Sequence, residues 1–171
     1  ATISISQGSS LSGAYVLNSA IANSLPFRDI TTAMKAVDAF SGTAITAIGS
    51  DVHVHDVWIG GFSQAFYSSR KERTKMERVQ IDSTNGVWVD YSTDIARIVD
   101  VHAWPFLTTH RTWSTGQSAR RKGSAFKVTG HFDTGMLIND FAFGYDVGFD
   151  IQAKETVNLL NCFADGPSLG V

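Results

Sequence analysis

Residues 2–6 alternate apolar and polar positions with Ile3 and Ile5 on one side, which predicts a short strand. The period then lengthens. Leu11, Ala14, Leu17, Ile21 and Leu25 recur at helical spacing up to Pro26. A second helical stripe, Ile30, Ala33, Val37 and Phe40, follows Asp29 as N-cap and precedes Gly42 as a C-terminal glycine. From Thr43 onward a period of two takes over, with strands expected at residues 44–48, 51–59, 61–68 and 95–103. The longest alternation covers residues 141–151, with Phe141, Phe143, Tyr145, Val147, Phe149 and Ile151 on one face. The opposite face carries Ala142, Gly144, Asp146, Gly148 and Asp150, preceded by Asp140.

Register arguments join these runs into hairpins. A loop of Thr84, Asn85 and Gly86 pairs Ile81 with Val89 and Val79 with Tyr91. A loop of Thr134 and Gly135 sets Phe132 against Leu137, Val128 against Phe141 and Phe126 against Phe143. The expected fold is therefore mainly β: an antiparallel β-sandwich of jelly-roll type, or a barrel, behind a short helical N-terminal segment. No internal repeat, Pro- or Ser-rich linker or low-complexity tract is read. One domain over residues 1–171 is expected, helical over 1–42 and β-rich over 43–171.

Composition agrees with a β-rich chain. Of the 16 acidic residues, 13 are Asp, which favours caps and turns over helix interiors. An apolar fraction of 43% with 18% charged residues excludes a disordered chain, and no apolar run is long enough for a transmembrane helix. No signal peptide is visible in the chain, and the compartment (extracellular, virion or cytoplasmic) stays open. Cys162 stands alone in an apolar setting, which excludes a disulfide framework and predicts a buried free thiol. The formal charge of −2 hides an uneven distribution: residues 70–78 and 120–122 hold eight of the 14 basic residues. Arg70, Lys71, Arg73, Arg120, Arg121 and Lys122 are therefore candidate contacts for a polyanion or a membrane surface.

Three constellations bear on chemistry. Gly61-Phe62-Ser63-Gln64-Ala65 resembles the serine motif of cutinase- and thioesterase-like α/β hydrolases. That resemblance implies Ser63 as a nucleophile, with Asp100 or Asp133 and His102, His110 or His131 as partners. Such an elbow needs a helix after the serine, whereas the residues that follow are charged or β-favouring. His53-Val54-His55 resembles the cupin metal motif over these two histidines, which a strand would point to one face. Asp140, Asp146 and Asp150 line a face of small residues that admits a sugar ring, a backbone or a neighbouring subunit. Asp146 and Asp150 lie about 13 Å apart by strand rise, beyond the reach of a glycosidase pair.

The expected function is a non-enzymatic β-rich structural or binding module, coat-, adhesin- or lectin-like, that forms a homo-oligomer or binds a partner surface without a cofactor. Two alternatives stand beside it. One is a membrane-active protein, since an amphipathic segment over residues 10–25 ahead of a β-sandwich resembles actinoporin-like cytolysins in layout. The other is a small serine hydrolase or histidine–metal enzyme using Ser63 or His53 and His55.

Overall fold

The computed structural model describes residues 2–108 and 120–166. The chain winds as a parallel β-solenoid of six turns with three strands each. The first turn is β1 (Ile3–Ile5), β2 (Ser10–Ser12) and β3 (Tyr15–Leu17); the second is β4 (Thr43–Ala47), β5 (His53–His55) and β6 (Trp58–Gly60). The third is β7 (Gln64–Ser69), β8 (Lys75–Glu77) and β9 (Gln80–Asp82); the fourth is β10 (Asn85–Ser92), β11 (Arg97–Val99) and β12 (His102–Ala103). The fifth is β13 (Arg121–Phe132), β14 (Gly135–Ile138) and β15 (Phe141–Phe143); the sixth is β16 (Tyr145–Ala153), β17 (Val157–Leu160) and β18 (Phe163–Asp165). Sheet I collects the first strand of every turn, sheet II the second and sheet III the third, and all neighbours pair in parallel.

Each inward position forms a column. Leu11, Val54, Met76, Ile98, Leu137 and Leu159 stack on sheet II. Val16, Ile59, Ile81, Ala103, Ala142 and Ala164 stack on sheet III. On sheet I the column is Ile3, Ile45, Phe66, Val87, Phe126 and Phe149, the last two rings stacked with centroids 4.9 Å apart. Alanines on sheet III face the phenylalanines of sheet I in the last two turns, which keeps the cross-section filled.

The corners set the winding. Between sheets II and III, Gly13, Asp56, Arg78, Asp100, Asn139 and Asn161 all take left-handed backbone, with φ between 50° and 62°. Asn and Asp tolerate this region better than other residues with a Cβ. Their side chains form a ladder along the corner: Asn161 Nδ2 donates to Asn139 Oδ1 at 2.9 Å, and Asn139 Nδ2 to Asp100 Oδ1 at 3.1 Å. Arg78 is the exception in type, and both its Nε and Nη2 donate to the Asp56 carboxylate at 2.7 and 2.8 Å.

Two insertions leave the solenoid, both between sheet III and sheet I. Residues 18–42 carry α1 (Ser19–Ala22) and α2 (Ile30–Asp38); a second follows β12. They meet in a separate apolar cluster of Ile21, Phe27, Ala33, Val37 and Phe40, against which Leu107 packs.

This architecture corrects the sandwich or barrel expected from the sequence. The hairpins at residues 84–86 and 134–135 do not form: Ile81 lies in β9 of sheet III and Val89 in β10 of sheet I, while Phe132 ends β13 and Leu137 lies in β14 of sheet II. Both arguments used the facing of apolar residues, and in a solenoid every strand faces the same interior. Residues 141–151 are two strands, because Gly144 (φ 72°) turns the chain from sheet III into sheet I and resets the facing. Ala142 therefore points inward beside outward Phe141 and Phe143.

An internal repeat is also present: Val54, Met76 and Ile98 follow at steps of 22 residues. The insertions stretch the step from Ile98 to Leu137 to 39 and from Leu11 to Val54 to 43, which masks it. The helix expected over residues 11–25 is broken into the end of β2, then β3 and the four-residue α1, with turns between them. β2 and β3, joined by the Gly13 corner, turn Leu11 and Val16 toward the core, so the stripe of Leu11, Ala14 and Leu17 spans two strands and a corner. Only α1 is helical there, so the amphipathic helix of the cytolysin-like layout does not exist, and no helix of the described residues is long and apolar enough to cross a membrane. The second helix forms where expected, with Asp29 accepting from Thr32 N at 2.8 Å.

Candidate functional site

Ser63 sits at the corner before β7, where its Oγ donates to Gly42 O at 2.9 Å. A strand follows it, not the helix that a nucleophile elbow requires. His102 lies among aromatic rings, His131 pairs with Glu155, and Asp100 joins the corner ladder. His110 falls outside the described residues.

His53 and His55 do share the outer face of sheet II, with ring centroids 4.3 Å apart. Each is engaged: His53 Nε2 lies 2.9 Å from Glu77 Oε2, and His55 Nδ1 lies 2.8 Å from Asp56 Oδ2. Burial lowers the His53 pKa despite Glu77. Among the described residues, no group of three or more His, Cys, Asp or Glu is placed to hold a metal ion. Cys162 is half-buried, donates to Leu137 O at 3.3 Å, and has its thiol pushed up by burial.

The two basic segments lie at opposite ends of sheet I, one leaving β7 and the other entering β13. Most of their charge is matched. Arg73 contacts Asp51, Glu72 and Asp94; Lys75 contacts Glu77; Lys122 contacts Asp38 at 2.7 Å. Arg70 lies over the Tyr91 ring at 5.1 Å, with Lys71 half-buried beside it. Arg120 donates to Gly166 O at 2.6 Å and approaches Asp146 at 4.0 Å. Arg121 is fully buried against Asp82, so it belongs to no surface patch.

The three aspartates likewise separate. Asp140 is buried just before β15, one turn on from buried Val101, whose N–H donates to its Oδ1 at 2.9 Å. Asp146 is partly exposed, and Asp150 lies on the outer face of sheet I. That face carries Tyr67, Trp88, Lys127 and Asp150 in register, with Tyr67 and Trp88 centroids 4.9 Å apart. A cleft of about 110 Å³ opens there between Gln64, Asn85, Trp88, Ser124 and Lys127. Its polar groups are already committed. Gln64 Nε2 donates to Phe66 O and Gly86 O, Asn85 bonds Ser63 O and Ser124 N, and Lys127 pairs with Asp150 at 3.0 Å.

A larger cleft, about 180 Å³, lies at the corner between sheets II and III. Tyr15 and Trp58, adjacent in register with ring centroids 6.2 Å apart, form its aromatic wall; Tyr15 is 86% exposed. The Trp58 indole lies flat across Gly60, where a Cβ would fall 2.2 Å from its Cη2. Asp56 and Arg78 form the opposite rim as a two-bond ion pair, and exposed Gln80 completes the floor. The bonds from Arg78, then that from His55, hold the Asp56 carboxyl far below the usual range, so it stays ionised. Neither Tyr15 nor Trp58 stood among the candidate residues read from the sequence. The missed signal is the spacing of Tyr15 and Trp58 at equivalent points of successive turns.

The chain is a parallel β-solenoid with an aromatic and polar recess at one corner. No family model, curated protein or solved structure matches it.

Proposed function

We propose that this chain is a saccharide-binding β-solenoid, lectin-like in the sense that it recognises without turning over. One observation carries the reading: an exposed tyrosine and a half-buried tryptophan stand over a recess whose other wall is a paired carboxylate and guanidinium, with an amide between. Aromatic faces take the C–H face of a pyranose, and Asp–Arg–Gln supplies acceptors and donors for its hydroxyls. Binding is favoured over hydrolysis because no carboxyl in the recess has the raised pKa of a general acid. The carboxyls that are raised, Asp82 and Asp140, are buried elsewhere. Titration of cello-, chito- and manno-oligosaccharides, followed by tryptophan fluorescence and two-dimensional NMR, tests the reading. Trp58→Ala and Tyr15→Ala should each weaken binding about tenfold with unchanged circular dichroism. Wild-type affinity in both variants would refute it.

A second reading, self-association, has its own observation. Val99, Ile138 and Leu160 stack on the outer face of sheet II beside Met136, and Phe163 lies around the corner. Leu160 and Phe163 are 53% and 60% exposed, so these residues offer an apolar surface to a second copy. Sedimentation velocity over a concentration series should show a dimer or larger species that Leu160→Asp with Phe163→Ser returns to monomer. A wild-type monomer throughout would exclude it.

A further inference from the structure

We propose that the Tyr15–Trp58 cleft takes the end of a saccharide chain, and that Phe106 is the residue that imposes this limit. The inference rests on the saccharide reading above.

The outward positions of sheet III run in register, one per turn: Tyr15, Trp58, Gln80, His102, Phe141 and Phe163. With strands about 4.8 Å apart, an open row of six would form a track of about 24 Å, long enough for an extended polymer. The row is blocked at the fourth turn. His102 occupies an outward position, yet its Nε2 is buried and has no hydrogen-bond partner. Phe106 meets it edge-on at 5.3 Å, and the neighbouring pair Trp104 and Phe141 meet it edge-on at 5.6 and 5.1 Å.

The chain leaving β12 builds this cover. Phe106 N donates to Trp104 O at 2.7 Å and Thr108 N to Pro105 O at 3.1 Å, a tight turn that brings Phe106 back over the strand it has just left. Trp104 anchors the turn by stacking on Phe143 at 4.3 Å. The open part of the row is then Tyr15, Trp58 and Gln80, about 10 Å by strand spacing, which is on the order of one or two sugar rings. The first sugar abuts Phe106 and the rest of a chain runs out past Tyr15. Phe163 lies beyond the wall and takes no part.

The length series of the same oligosaccharides, from mono- to hexasaccharide, tests this without any variant. Affinity should level off at the disaccharide. A long polysaccharide should compete in proportion to its chain ends, so that partial hydrolysis at constant mass raises competition about tenfold. Phe106→Ala should open the track, raising hexasaccharide affinity about fivefold or more over disaccharide while leaving the monosaccharide unchanged. Affinity that climbs steadily to the hexasaccharide in the wild type, competition indifferent to hydrolysis, or an unchanged length profile in Phe106→Ala overturns the inference and leaves the saccharide reading standing. If no oligosaccharide of any length binds, both fall.

Discussion

Replacing Arg121 with Met should destabilise the protein by about 3–5 kcal/mol, a large share of a typical total of about 5–15 kcal/mol. The side chain is fully buried, with Nε donating to Asp82 Oδ1 at 2.7 Å and Nη2 to Thr108 Oγ1 at 3.2 Å. Its guanidinium lies 5.4 Å over the Phe40 ring, and Asp82 Oδ2 accepts from Leu107 N at 2.6 Å. One ion pair thus joins β9, β13, the end of the helical insertion and the start of the second. Burial raises the Asp82 pKa, and the Arg121 charge opposes that rise. Without the arginine an uncompensated carboxylate stays inside, and its cost exceeds that of losing the pair as a whole. Urea denaturation should show that Asp82→Leu with Arg121→Met is less damaging than Arg121→Met alone. A loss below about 1 kcal/mol in the single variant would mean that the pair does not hold the insertions.

Wild-type stability should fall as pH rises from about 4 to about 8, and Asp140→Asn should abolish that component. Asp140 is buried, with Oδ1 accepting from Val101 N at 2.9 Å and Oδ2 without a partner. Burial pushes its carboxyl up to about 8, against an ordinary 3.8. The sign follows from linkage. Between those values the folded state keeps a proton that the unfolded state has lost, so raising the pH favours unfolding by up to about 1.4 kcal/mol per unit. The acid form is the stable one; the penalty is complete above the folded pKa and absent below the unfolded one. His102, whose burial lowers its pKa, acts in the opposite sense on the acid side, so the comparison is made between variant and wild type. At pH 8 the variant should be more stable by about 3–5 kcal/mol, and at pH 4 equal or slightly weaker because its amide lacks a partner. A difference that does not change between these pH values would show that Asp140 is not held neutral.

Both residues stood among the surface candidates read from the sequence, and the reason they are buried is instructive. Alternation tells which side chains share a face only while a strand continues. Gly144 and the left-handed corners at Asp100 and Asn139 interrupt it every few residues, so the parity of Asp140 cannot be carried from Asp146. Arg121 belongs by sequence to a basic run, but its neighbours in space, Asp82 and Phe40, come from elements far away in the chain. The cleft was hidden for a related reason. Tyr15 and Trp58 are 43 residues apart, with the helical insertion between them, and become neighbours only when successive turns stack.

The sequence by itself determined that the chain is β-rich, that a helix starts at Asp29, and that charge is unevenly placed, because composition, caps and period are local properties. Only the tertiary structure decided that the strands run parallel in three sheets, that the aspartates divide between core and surface, and that the basic segments are matched by acids. Those outcomes depend on which residue lies one turn above another. That spacing of 21 to 23 residues is set by corner backbone and interrupted by insertions. A three-residue strand buries too little to declare its partner, so the choice of pairing belongs to the stacked columns as a whole.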